Sequence, residues 1–281
     1  MSITLDYAVP GAGAAEVFTL FYHFRADVPR FEDTERADHA QLRFRLSPGA
    51  ATYHFADGSM QDAPAHHVIG PTSGAMRVEA EGPVHVFGAG ITPSGWAAIT
   101  GASASAFLNR IVDAHELLGP AVDDAAEALM RADGTARMVE IVEAMIAGLA
   151  TQARQSSFVA QVDAWLADSP SPEVDDLVAA TGLSRRQIER RCNALYGAPP
   201  KLLARKYRAL KAAVALAVHQ ADADALIDGG FYDQSHFIRE VKQFTGLTPV
   251  QLRENPNLLA QLTIAGRHGL TGRVNPIISE T

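Results

Sequence analysis

The sequence predicts an α+β protein. It has an amino-terminal domain folded as a small β-barrel, a helical linker, and a carboxy-terminal all-α domain of two helix-turn-helix units joined by a long helix. Three observations lead there. Residues 1–120 hold short runs rich in Val, Ile, Phe and Tyr, separated by Gly, Pro and Asp turn formers. Residues 121–169 carry apolar positions at three- and four-residue steps, the period of a helix. Residues 170–254 write one pattern twice: helix, tight turn, helix. Residues 255–281 remain as a tail.

In the first region LDYAV, VFTLFYHF, QLRFRL, ATYHF, HHVIG, AMRVEA and VHVFGAGI read as strands. QLRFRL and MRVEA alternate apolar with polar, so one face is buried and one is wet. Many short strands with regular turn signals suit a small barrel or sandwich. SGWAAITG and ASASAFLNRIV read as short helices behind them. In the linker, VDDAAEALMRA and GTARMVEIVEAMIAGLATQARQSSFVAQVDAWLAD are helical, the longer run breaking near Gly148 or Ser156. DSPSPE marks the next boundary, with Pro172 acceptable in a first helical turn.

The third region is the most explicit. EVDDLVAATG is a helix stopped by Gly182. Ser184 caps the next helix while Gln187 reaches back to the cap amide. RRQIERRCNALYG follows, with Ile188, Cys192 and Leu195 on its inner face and Gly197 as a left-handed stop. PPKLLARKYRALKAAVALAVHQ is the long helix. ADALIDGG then closes on Gly229 and Gly230, and DQSHFIREVKQFTG carries Phe237, Val241 and Phe244 as a second inner stripe. Gly182 matches Gly230, Ile188 matches Phe237, Gly197 matches Gly246, Pro200 matches Pro249 and Leu203 matches Leu252.

Composition bounds the partners. The 281 residues are 47% hydrophobic and 20% charged, enough for a packed core. No run has the length of a membrane span and no secretory signal is visible at MSITLDYAVP. The single cysteine, Cys192, excludes an intrachain disulfide and fits a reducing compartment, so the expected location is cytoplasmic. Cys192 itself reads as buried filler. Net charge is −8, yet half of the 24 Lys and Arg fall in residues 165–254, with Arg185, Arg186, Arg190 and Arg191 clustered.

A helix with an apolar back and a polar front can enter the DNA major groove, which is about 12 Å wide. Arginine pairs with guanine, glutamine with adenine and glutamate with cytosine. Arg186, Glu189 and Arg190 are the base-contacting candidates of the first unit; Gln234, His236 and Arg239 are those of the second. Arg185, Arg191, Lys201 and Lys242 suit phosphate contacts. A connecting helix of about twenty residues spans roughly 30 Å, near the ~34 Å between successive major-groove faces.

DDLVAATGLSRRQIERRCNALYGAPPKLLARKYRALKAA, followed by GGFYDQSHFIREVKQFTGLTP, resembles the DNA-binding domain of the AraC/XylS family of bacterial transcription regulators. The motif is densest over Gly230-Phe231, Asp233 to Phe237, Arg239, Lys242, Gly246 and Pro249. The resemblance implies a monomeric double helix-turn-helix domain over about residues 170–254, with the same base-facing residues as above. Cys192 and Val241 stand where the family usually has an aromatic, and Ala225-Leu226 where it has Ile-Ala. The acids Asp222, Asp224 and Asp228 would weaken phosphate attraction if they faced DNA. HHVIGPTSGAMRVEAEGPVHVFGAGITPSGWAAITG is similar to the β-rich sensor-like domain of one subgroup, which implies a cupin-like barrel for a small effector.

Tyr22, His23, Arg25, Arg43 and Arg45 are the candidates for an effector cavity. His54, His66 and His67 lack ligand spacing, so no metal is expected. GAGAAE and GAGI lack the setting of a nucleotide loop, no catalytic constellation stands out, and no cofactor is expected. The expected partners are double-stranded DNA, a small-molecule effector, RNA polymerase and a second copy of the chain, with no membrane. Alternatives are a ligand-binding or enzymatic β domain on a helical scaffold, and a regulator that binds a protein partner. LLAQLTIAG in the tail is expected to pack back, the rest to stay loose.

Overall fold

The short apolar runs become strands, but the strands do not close. The computed structural model describes residues 2–149 and 156–281; the helical reading of residues 150–155 lies outside them. Strands are β1 (Ile3–Ala8), β2 (Phe18–Ala26), β3 (Arg30–Glu35), β4 (Gln41–Arg45), β5 (Ala51–His54), β6 (Met60–Asp62), β7 (His66–Ile69), β8 (Met76–Glu81), β9 (Val84–Ile91) and β10 (Ile111–Asp113). They form two open antiparallel sheets, ordered β1-β2-β9-β4-β7-β10 and β3-β8-β5-β6.

The expected cupin-like barrel is therefore incorrect. A barrel needs its first and last strands to pair with matched stagger, and β1 and β10 are separate edges of the larger sheet. Closure is unnecessary because both faces of that sheet are already buried. Phe24, Ile69 and Val84 meet Phe31, Tyr53 and Val78 of the smaller sheet. Phe21, Leu42, Phe44, Val68 and Phe87 meet helices on the other side.

Those helices are α1 (Pro93–Thr100), α2 (Ala114–Leu118), α3 (Ala121–Met130) and α4 (Thr135–Leu149). Val122, Leu129, Met138, Val142 and Ile146 supply their apolar stripe. ASASAFLNRIV is not one helix: it is a 3-10 turn over Ala104–Phe107 followed by β10. Helix α5 (Ser157–Asp168) then turns to the carboxy-terminal helices, where Phe158, Val162 and Leu166 are buried.

The last region is all α: α6 (Val174–Thr181), α7 (Arg185–Tyr196), α8 (Pro200–Ala217), α9 (Ala223–Gly230), α10 (Gln234–Thr245), α11 (Pro249–Glu254), α12 (Leu258–His268) and α13 (Pro276–Ser279). The tail is not loose after α12. Helix α12 packs on β1 and β3, and Ile277 and Ile278 of α13 are buried beside α5.

Candidate nucleic-acid interface

Local chemistry sets each helix of the two units. In the first, α6 ends at Gly182 with φ 65°, and Ser184 and Gln187 form the expected capping box. Helix α7 buries Ile188, Cys192 and Tyr196 and ends at Gly197, φ 77°. In the second, Asp233 caps α10 by accepting from the His236 N–H at 2.7 Å, and Gly246, φ 79°, ends it. Gly230 differs from Gly182. It lies inside the last turn of α9, and a Cβ there would come within 3.1 Å of Arg208 and 3.2 Å of the Pro170 carbonyl oxygen. Helix α8 joins the units; its 18 residues span about 27 Å at 1.5 Å per residue.

The inner stripe of α10 packs as expected, whereas on α7 Tyr196 is buried beside Ile188 and Cys192 and Leu195 is only half-buried. Phe237, Val241 and Phe244 of α10 are fully buried, two of them against Ala212, Ala213 and Leu216 of α8 and Leu252 of α11. Cys192 is fully buried, and burial pushes its thiol up to about 12, so it packs as a small apolar residue.

The polar fronts divide. Arg186, Glu189 and Arg190 on α7, and Gln234 and Arg239 on α10, are exposed. None of the charged members of this set pairs with an opposite charge among the described residues. His236 is half-buried and turned inward: its Nε2 lies 3.3 Å from Glu240 and its ring meets Phe231 edge-on. Lys201 and Lys242 are exposed, whereas Arg185 pairs with Asp175 of α6 and Arg191 lies over the Phe158 ring at 5.4 Å.

An unforeseen carboxylate holds the second unit. Glu240, 2% exposed, accepts from Arg205 and, at 2.8 Å, from Arg208, both on α8. Burial alone would raise its pKa, but the hydrogen bonds from Arg208 and Arg205 outweigh that and lower it. These two arginines are therefore spent inside the domain.

The unit is also fixed to the sheets. The Ala75 N–H donates to the Gln243 carbonyl at 2.8 Å and the Ala37 N–H to the Phe244 carbonyl at 2.7 Å, satisfying carbonyls that a helix end leaves open. Lys206 of α8, 5% exposed, donates to the Asp38 carbonyl at 2.6 Å and the Thr72 carbonyl at 3.3 Å. Its burial lowers its pKa to about 7. Asp38 also pairs with Arg267 of α12 and faces Arg36; burial would raise its carboxyl, but Arg36 and His39 bring it to about 2.

A cavity of about 120 Å³ lies beside this junction, between the sheets, α8 and α12. Of the five effector candidates, Tyr22, Arg43 and Arg45 line it. His23 and Arg25 fall on the other face of β2, because side chains alternate along a strand. His23 meets His85 at 2.7 Å and Thr135 at 2.8 Å, and Arg25 pairs with Asp6. Arg43 is held by Glu35, Gln41 and Tyr53. Nε and Nη1 of Arg36, Arg45 and Arg267, which also border the cavity, are buried without a hydrogen-bond partner among the described residues. Leu5, Phe24, Phe31 and Leu259 form apolar walls.

Among the described residues no group of three or more His, Cys, Asp or Glu side chains gathers as metal ligands would. The Nδ1 of His67 lies 2.8 Å from the Pro64 carbonyl oxygen, and burial lowers its pKa to about 3. No described helix is long and apolar enough to cross a membrane.

Residues 177–255 match a family model described as a helix-turn-helix domain. Comparison with curated proteins finds no match. Among solved structures the chain is similar to ToxT from Vibrio cholerae, at 9% identity and a TM-score of 0.46, covering 82% of this chain and 97% of that one. The same figures hold for ToxT bound to (E)-4-(8-methylnaphthalen-1-yl)but-3-enoic acid. For ToxT from the same organism bound to an unsaturated fatty acid they are 8% and 0.44, with 88% and 92% covered. The family match, the two capped helix pairs with open polar fronts and the long helix between them show that residues 177–255 form a helix-turn-helix domain built of two units.

Proposed function

We propose that α7 and α10 enter two successive major-groove faces of one duplex, with Arg186, Glu189 and Arg190 reading one block of bases and Gln234 and Arg239 the other. The observation that carries this is the exposure of these side chains while the opposite face of each helix is buried. Lys201 and Lys242 then serve as phosphate contacts; Arg185 and Arg191 join them only by leaving Asp175 and Phe158. Binding measured over a salt series tests it. Affinity falls steeply with salt and exceeds that for random duplex, and both the salt slope and the preference survive in full-length protein. Weak binding of equal strength to any duplex at every salt concentration contradicts it.

In this reading residues 1–120 sense, 121–169 link, 170–254 bind DNA and 255–281 brace the junction. The cavity between the sheets and α8 takes a small amphipathic anion. Unpartnered guanidinium N–H groups on Arg36, Arg45 and Arg267 favour a carboxylate, and the apolar walls favour a ring or short chain. At about 120 Å³ the space is close to that of engineered cavities that accept benzene. A ligand there would touch the sheets and α8 together, and so bias how the DNA-binding helices sit. Thermal shifts with small aromatic carboxylates, lost in Arg45→Ala, test this; equal shifts in both proteins contradict it.

A further inference from the structure

We infer that Ile238 reads the methyl group of a thymine in the block of bases bound by α10. The inference rests on the DNA-binding reading above and sharpens it at one position.

Folding accounts for only part of Ile238. The apolar stripe of α10 is complete without it, since Phe237, Val241 and Phe244 are fully buried. Ile238 sits about 100° around the helix from Phe237 and remains 38% exposed. Every other exposed side chain of α10 is polar or charged: Gln234, Ser235, Arg239, Lys242 and Gln243. On α7 the exposed side chains are all polar or charged as well.

The internal repeat says where Ile238 belongs. Counting from the caps Ser184 and Asp233, Ile188 and Phe237 occupy the same position. Glu189 then matches Ile238, and Arg190 matches Arg239. The third helical positions also match: Gln187, whose side chain accepts from the Ser184 N–H, and His236, which is drawn back toward the turn and Glu240. His236 thus stands at a position the first unit uses for capping, while Ile238 stands at the position where the first unit places Glu189 toward the groove. The two exposed neighbours, one turn back at Gln234 and next in sequence at Arg239, frame it.

An apolar side chain in a polar reading face finds one methyl among the base edges of the major groove, on C5 of thymine. Burying it removes apolar surface from water on both partners. A carboxylate at the same position, as in the first unit, accepts from cytosine instead. The two units would therefore differ in base preference at equivalent positions.

The test uses full-length protein and the duplex it selects from a random library. Each thymine in the α10 block is replaced in turn by deoxyuridine, which deletes only the methyl. One replacement is expected to weaken wild-type binding about fourfold. Ile238→Ala should weaken binding to the thymine duplex by a similar factor, keep its melting temperature, and be indifferent to that replacement. Ile238→Glu should move the preference at that position toward cytosine. A block without thymine, a wild type indifferent to every replacement, or an Ile238→Ala protein that keeps the full uracil penalty overturns the inference while the DNA-binding reading stands. Failure to select any duplex overturns both.

Discussion

The two helix-turn-helix units share a plan and are held by different means. The first joins a large apolar cluster: Leu177, Ile188, Cys192 and Tyr196 pack with α5, α8 and α13, and α7 rests on α1 and the 3-10 turn at Ala104–Phe107. The second keeps a small cluster of its own, Phe237 and Val241 against α8 and α11. It adds a buried carboxylate between two arginines and backbone donors from the sheets on its last turn. One reading geometry is thus mounted once by apolar burial and once by charge and hydrogen bonds. Apolar burial spreads its stabilisation over many residues; the ion lock concentrates it in one.

That contrast can be broken at Glu240. Glu240→Ala leaves Arg208, itself only 14% exposed, without its carboxylate, and should cost about 3 kcal/mol. Glu189→Ala on exposed α7 should stay within about 0.5 kcal/mol. Urea unfolding of the full chain compares them. Arg190→Ala and Arg239→Ala test the reading faces: each should weaken specific DNA binding by about 1–3 kcal/mol while leaving unfolding midpoints unchanged.

The helix ends sharpen the comparison further. Gly182 and Gly246 both hold left-handed φ, but a Cβ at Gly182 meets nothing within 4 Å, whereas at Gly246 it would lie 2.4 Å from Thr34 Cγ2. Gly182→Ala should cost about 1 kcal/mol and Gly246→Ala about 2 kcal/mol, read by thermal melting. The dependence on pH tests the same contacts in a second way. The Glu240 carboxyl titrates below its ordinary value, so its contribution is present above that value and is lost as pH falls through the folded one. Lys206 gives a slope of the same sign on the alkaline side. Its pKa is lowered to about 7, so the unfolded chain holds the extra proton above that pH and stability rises toward the ordinary lysine value. Unfolding midpoints of Glu240→Gln and Lys206→Met should each lack the corresponding slope.

Much of the carboxy-terminal region was legible because its determinants are local. Caps at Ser184 and Asp233, stops at Gly182, Gly197 and Gly246, and stripes at Ile188 and Phe237 all act within a few turns of chain. The amino-terminal region was legible only as strands. Alternation marks a half-buried strand but is silent on whether a sheet closes, which depends on pairing between distant edges. RFEDTE was missed as β3 because Phe31 is its one clearly apolar residue, and β6 spans only three. Grouping Tyr22 with His23 and Arg25 ignored the two-residue period of β2. The roles of Glu240, Asp38 and Lys206 were not legible, since the contacts that tie them across the fold, to Arg208, Arg267 and the Asp38 carbonyl respectively, join residues far apart in the sequence. Ile238 did carry one: aligning the two units on Ile188 and Phe237 places it opposite Glu189.

The central claim is that α7 and α10 act together on one duplex. Selection of bound sequences from a random duplex library by the full-length chain tests it most directly. The account predicts a motif of two base blocks centred about one helical turn, ~10 base pairs, apart, one block degrading in Arg190→Ala and the other in Arg239→Ala. A single block that both substitutions erase equally, or no motif at all, would contradict it.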